Sequence, residues 1–226
     1  MKKMLFAGTI LGALALTSGA HAQGISPPWD LNQAPVGKEA GTFMMRLRAI
    51  GVIPLNSSSS VQAIGGTVSA TAQAAPEVDF SYFLTDHIAF ELIAASTRHD
   101  VSVHNSVLGN VDVGSTWVLP PTVTVQYHFF PKERFSPYVG VGLNVSFFYA
   151  TNPANPPVTH WSLSNGVGAA IQAGFDYNFS GHWFANFDVK QIFVHTNASV
   201  DALGTTIKAS TWLNPLVIGA GIGYRF

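Results

Sequence analysis

The sequence predicts an all-β protein, an eight-stranded antiparallel transmembrane β-barrel with short periplasmic turns and four long extracellular loops. Three observations predict it. Charged residues make up 10% of the chain and hydrophobic ones 47%, whereas a soluble domain carries about 25% charged residues. The uncharged stretches cannot be membrane helices. Residues 135–175 contain no Asp, Glu, Lys or Arg, but Pro137, Pro153, Pro156 and Pro157 break them. Apolar residues instead recur at every second position, the period of a strand with one face in lipid.

Residues 1–22 read as a secretory signal peptide. Met1-Lys2-Lys3 is a basic start, residues 4–16 are apolar, and Ala20-His21-Ala22 is a cleavage signal. The apolar run falls short of the about 20 residues that span a bilayer. The barrel is therefore expected over residues 23–226.

The strands follow in order. Residues 43–53 set Phe43, Met45, Leu47 and Ile53 against Arg46 and Arg48, and residues 76–84 set Val78, Phe80 and Tyr82 against Glu77, Asp79 and Ser81. In residues 88–95, Phe90, Leu92 and Ala94 oppose Glu91, Ile93 and Ala95. Residues 121–129 alternate Val123, Val125, Tyr127 and Phe129 with Thr122, Thr124, Gln126 and His128. Residues 137–149 alternate Val139, Val141, Leu143, Val145, Phe147 and Tyr149 with Gly140, Gly142, Asn144 and Ser146. Residues 166–179 place Ala169, Ile171, Ala173, Phe175, Tyr177 and Phe179 opposite Gly168, Ala170, Gln172, Gly174, Asp176 and Asn178. In residues 183–193, Trp183, Phe187, Val189 and Phe193 oppose Asn186, Asp188 and Lys190. The last strand sets Trp212, Leu216, Ile218, Ala220, Ile222, Tyr224 and Phe226 against Val217, Gly219, Gly221, Gly223 and Arg225.

Links of two lengths join these segments. Short ones lie at 85–87, 131–136 and 180–182; long ones lie near 55–75, 96–116, 150–165 and 196–210. Short turns at one end and long loops at the other are the outer-membrane pattern. No charge falls on the apolar rows, as expected where a midplane Lys or Arg costs about 2–4 kcal/mol. A soluble β-sandwich would fill its polar face with Lys and Glu. Here that face is Gly, Ser, Thr, Asn and Gln, residues that suit a narrow interior. Aromatics gather near both strand ends, as interface girdles do.

Other classes are excluded. The charge is −1 with no basic run, so nucleic acid is not a partner. No cysteine is present, which removes disulfides, thiolate nucleophiles and Cys-based zinc sites. Disorder is incompatible with so apolar a chain.

Several blocks carry a resemblance: Glu39-Ala40-Gly41, PEVDFSYFLTDHIAFELIAAS at 76–96, LPPTVTVQYHF at 119–129, PYVGVGLN at 137–144, GAAIQAGFDY at 168–177 and NPLVIGAGIGYRF at 214–226. With these blocks the chain resembles the OmpW family of outer-membrane proteins over nearly all of residues 23–226. The resemblance implies a small barrel in the bacterial outer membrane, with a narrow, largely apolar cavity that helps small hydrophobic molecules cross. The stretch 52–75 and the Asn152-Pro153-Ala154-Asn155-Pro156-Pro157 run depart from any fixed family pattern.

Candidate chemistry is sparse. His99, His104, His160 and His195 lie in or near the long links, but without metal-ligand spacing. His104-Asn105-Ser106 resembles a fragment of the His/Ser pair of outer-membrane lipid A deacylases, but has no orienting third group. The Gly219, Gly221 and Gly223 series sits on a strand and opens no helix, so it is not a phosphate loop. No catalytic residue, metal or cofactor is expected.

The interior offers two candidate features. Inward charges Arg46, Glu91, Asp176, Asp188, Lys190 and Arg225 fall in the lower half, where pairing is expected because an unpaired buried charge is expensive. Above them Ile50, Val52, Ile93, Ala95, Ile192 and Val194 point inward and are expected to line an apolar cavity. The reading that follows is a conduit for small hydrophobic molecules, not an enzyme, with outer-membrane lipid and the barrel-assembly machinery as further partners. Two alternatives stand beside it: a barrel whose loops bind a host surface, phage or toxin, and a lipid-modifying enzyme. Ile222, Tyr224 and Phe226 end the chain on one face and look like the signal read by the assembly machinery. Deleting Phe226 is expected to lower the folded yield, measured by heat-dependent gel mobility, far more than deleting a residue of a long link.

Overall fold

The computed structural model describes residues 33–226 except 63, 155, 157 and 203, with the backbone alone at 56–60. The signal-peptide expectation over 1–22 lies outside the described residues. Twelve strands follow one another: β1 Phe43–Val61, β2 Thr67–Ala70, β3 Gln73–Phe83, β4 Ile88–Ala95, β5 Thr97–Ser106, β6 Gly109–Leu119, β7 Thr122–His128, β8 Phe135–Pro153, β9 Val158–Leu163, β10 Gly166–Ser180, β11 Trp183–Ala202 and β12 Thr205–Arg225. Pairing runs β10-β11-β12-β1-β3-β4-β7-β8, and β8 pairs back onto β10. Eight strands thus close into a ring in which each is antiparallel to both neighbours. Closure removes every free edge at the level of the ring, which lipid requires because no water is there to satisfy backbone groups.

The period-two facing is as the sequence predicts. Adjacent residues differ sharply: Leu143 is 65% exposed and Asn144 0%. Leu92 is exposed and Ile93 buried. The large exposed residues of the ring, among them Leu47, Phe90, Val141, Ile171 and Ile222, form the lipid-facing surface. An aromatic belt marks each end. At the turn end Phe43 stacks on Phe80 (6.0 Å between centroids) and Trp183 meets Tyr224 edge-on (5.0 Å). At the other end Trp117 stacks on Tyr149 at 6.4 Å. Beside Trp117, at the same level of the β5–β6 ladder, stands Arg98. Its exposed ion pair with Asp100 (3.3 Å) puts charge on the outer face, where the wall leaves hydrocarbon.

The long links differ from expectation. They are largely strand, not loop. β1 runs on to Val61 and pairs with β12 up to Ala209. β5 and β6 form a hairpin that carries β2 on one side and joins β8 on the other. β9 adds to β11. These extensions raise the wall well above the lipid-facing ring. They are strands because their inner faces carry apolar residues that meet one another: Val61, Val68, Val103, Val113, Trp161 and Ala209 form one buried cluster. That burial outweighs the turn-rich composition that reads as loop.

Glycines let the lower wall close on large interior side chains. A Cβ at Gly221 would stand 2.1 Å from the Leu47 carbonyl oxygen and 2.7 Å from Arg48 Cα, whereas a Cβ at Gly51 meets nothing within 4 Å. Gly221→Val should therefore lower the folded fraction severely, and Gly51→Val, on the lipid side, should leave it near wild type. Heat-dependent gel mobility of the refolded protein checks both.

Candidate functional site

The lower interior is an ion-paired layer. Arg46 on β1 bridges three carboxylates from three strands: Asp79 Oδ1 at 2.7 Å, Asp176 Oδ2 at 3.2 Å and Glu91 Oε1 at 3.4 Å. Arg48, one inward position higher, meets Glu77 at 2.6 Å, Asp79 at 3.1 Å and Glu91 at 3.6 Å. Neutral donors complete the layer. Thr124 Oγ1 and Gln172 Nε2 both donate to Glu91 Oε2, at 3.0 and 2.9 Å. Tyr138 Oη donates to Asp188 Oδ2 at 3.0 Å and accepts from Asn186 Nδ2 at 3.0 Å. Such density of bonds is what allows charges to stay paired at this depth.

Of the six charged residues expected here, the structure joins Arg46, Glu91 and Asp176 directly. Asp188 reaches the network through Arg48, at 3.8 Å. Among the described residues Lys190 makes one ion pair, with Asp188 at 3.5 Å, and its charge also acts on Glu91. Arg225 stands apart at the turn end, bonded to the Val36 carbonyl and lying over the Phe184 ring at 4.9 Å.

The sequence reading missed Lys38. It precedes the first strand, yet its side chain is wholly buried. Lys38 Nζ meets Asp176 Oδ2 at 2.8 Å, donates to Ser136 Oγ at 2.8 Å and contacts His128 Nδ1 at 2.8 Å. An ammonium has no acceptor, so His128 Nδ1 accepts; its Nε2 then carries the hydrogen and donates to Gln126 Oε1 at 3.1 Å. The backbone straps the segment across the turn end: Val36 N bonds to Gly181 O at 3.1 Å, Lys38 N to Pro131 O at 2.9 Å and Gly41 N to Phe83 O at 2.8 Å. Ala40 N donates to Asp86 Oδ1 at 3.2 Å, a bond that holds this exposed turn carboxyl below its ordinary pKa.

Above the layer lies a cavity of about 160 Å³. That size matches an engineered apolar cavity that stays dry and takes benzene, at about 150 Å³. All six residues expected there, Ile50, Val52, Ile93, Ala95, Ile192 and Val194, line it. Ile50, Ile192 and Val194 pack with Ala170 and Val217 into one buried cluster. Glu77 and Lys190 reach its lower boundary, and Leu108, Val111 and Val113 of the extensions its upper part. The upper lining was also missed. Its signal was present in Val101-Ser102-Val103 and Val111-Asp112-Val113, whose alternation continues through a stretch read as loop.

The histidines do not converge. His99 is bonded to Thr97 and Thr71, His104 to Ser102, and His195 to Ser210. Ser106 Oγ donates to Gly109 O at 2.6 Å and receives Leu108 N, so His104 and Ser106 each bond elsewhere. Among the described residues no group of three or more His, Asp or Glu side chains is placed to hold a metal.

The sequence profile of the OmpW family matches residues 39–226. The chain belongs to the OmpW family. It is a bacterial outer-membrane protein, like its relatives. An outer-membrane protein of Sinorhizobium fredii, y4mB, is 41% identical over 221 residues, covering 96% of this chain and 94% of that one. Outer membrane protein W of Vibrio cholerae is 32% identical over 204 residues, covering 87% and 94%. The crystal structure of OprG from Pseudomonas aeruginosa superposes with a TM-score of 0.78 at 26% identity, covering 84% of this chain and 98% of OprG. The OmpW-family fold thus extends over the ring and its extensions together.

Asp176 carries both Lys38 and Arg46. Removing one member of a buried pair costs about 3–5 kcal/mol. Asp176→Asn is expected to lower the urea midpoint of unfolding in lipid vesicles well below that of a lipid-face control such as Leu143→Ala, read by tryptophan fluorescence.

Proposed function

We propose that this OmpW-family barrel binds small hydrophobic molecules in its upper cavity and passes them toward the outer membrane. The observation that carries this reading is the division of the interior. An apolar cavity stands directly on a paired ionic layer, and the cavity lining continues upward to Leu108 at the tip of the β5–β6 hairpin. A molecule entering from the loop end gains about 25 cal/mol per Å² of apolar surface buried and needs few hydrogen bonds. Its downward path is blocked by Arg46, Arg48 and their carboxylates, with Lys38 beneath them.

The way out is sideways. The β1–β3 ladder ends at Val52 opposite Gln73. Above that point β1 pairs with β12 and β2 with β5, and no ladder joins β1 to β2 among the described residues. Pro76, near the top of the β1–β3 pairing, has no N–H to donate. A seam in the wall beside Val52 requires less hydrogen-bond breakage than any path through the ionic layer.

Ile93 and Leu92 separate the inner and outer faces of β4. Ile93→Asp is expected to cut uptake of a small apolar compound by whole cells several-fold while the barrel still folds. Leu92→Asp should impair membrane insertion instead. Unchanged uptake by well-folded Ile93→Asp protein contradicts the cavity assignment.

A further inference from the structure

Most polar side chains that line the cavity are already bonded within the protein. Glu77 is held by Arg48. His99 uses both ring nitrogens, on Thr97 and Thr71. Thr116 donates to backbone carbonyls, Thr122 to the Pro120 carbonyl and Ser146 to Asn144. Lys190 differs. It lines the cavity floor two residues below Ile192, its side chain is 2% exposed, and its Nζ has no hydrogen-bond partner among the described residues. Its nearest carboxylate, Asp188, stands 3.5 Å away, an ion contact without hydrogen-bond geometry. Asp188 already receives Tyr138 Oη.

The geometry points to Lys190 as the head-group anchor of the cavity, for molecules with an apolar body and one uncharged terminal oxygen acceptor, such as a ketone, aldehyde or ester. This inference rests on the cavity binding apolar molecules at all. An ammonium offers three donors and no acceptor, and a donor buried without a partner is costly. A carbonyl oxygen arriving at the floor satisfies it. Net charge decides between an uncharged head and a carboxylate. The interior holds Lys38, Arg46, Arg48, Lys190 and Arg225 against Glu77, Asp79, Glu91, Asp176 and Asp188, all buried. The two sets are equal in number, so a carboxylate would add an uncompensated charge at low dielectric, next to Asp188. A neutral oxygen adds none. The apolar body then lies upward along Ile93, Ile192 and Val194, toward Val103 and Val113.

Binding of n-octane, 2-octanone and octanoate to the folded protein in lipid nanodiscs tests this. Affinities are taken as ratios within each variant, so that partition into lipid cancels between variants. A charge-assisted hydrogen bond predicts that the 2-octanone/octane affinity ratio falls about tenfold in Lys190→Met and stays within twofold of wild type in Lys190→Arg, which keeps its donors. An unchanged ratio in a folded Lys190→Met protein overturns the anchor while leaving the cavity reading intact. Failure of both octane and 2-octanone to bind wild type overturns the cavity reading itself. A larger fall for octanoate than for 2-octanone overturns the choice of an uncharged head. If Lys190→Met does not fold, NOEs in the wild-type protein decide. Those from the methyl beside the carbonyl are expected on Ile192 and Val217, and those from the far methyl on Val103 and Val113. The reverse order overturns the proposal.

Discussion

Arg46 and the carboxylates around it are the constraint on which the rest of the barrel depends. Its guanidinium binds Asp79, Glu91 and Asp176, drawn from β3, β4 and β10. A ring of eight strands is just wide enough for side chains to fill it, so one Arg can reach across the lumen to the opposite wall. Hydrophobic burial cannot do this work, because the lipid outside is as apolar as a core would be. Directional ionic bonds therefore fix the register and fill the lower half. The glycines opposite, such as Gly221 against Arg48, are the space these long side chains require.

The same layer defines the cavity. Above the filled lower lumen lies the cavity, and the extended strands supply the walls of its upper part. Where the ion layer stops, at Arg48 and Lys190, the inward positions turn from charged to Ile and Val within two residues on both β1 and β11. The boundary is thus written in single strands as a change of residue type at constant period. The loop-end hairpins continue the apolar lining above the lipid-facing ring.

What the sequence made legible follows from lipid. Any residue facing hydrocarbon must be apolar, so the outer rows were readable from Phe43 to Phe226, and the inner rows followed by default. Ile50, Val52, Ile93, Ala95, Ile192 and Val194 were placed by that rule alone, and they share one cavity. Lys38 was not readable. It lies before the first strand, where no period exists, and its burial depends on Asp176, 138 positions away in sequence. One trace of it was present in the charge count: four inward bases against five inward acids leave one base missing, and Lys38 supplies it. Arg225 was readable as inward but not as solitary, since its partner is the Val36 carbonyl. The extensions were misread because Ser, Thr, Asn and Gly dominate them, and the apolar residues that make them strands meet only in three dimensions.

On the proposed function the lumen is divided, with guests admitted above the ionic layer and excluded below it. Intermolecular NOEs between n-octane and the methyl- and amide-labelled protein in nanodiscs test it most directly. A divided lumen gives cross-peaks to the methyls of Ile50, Ile93, Ile192 and Val194, and none to the side-chain amides of Gln126 or Asn178 beneath the layer. Cross-peaks to Gln126 or Asn178 would contradict it.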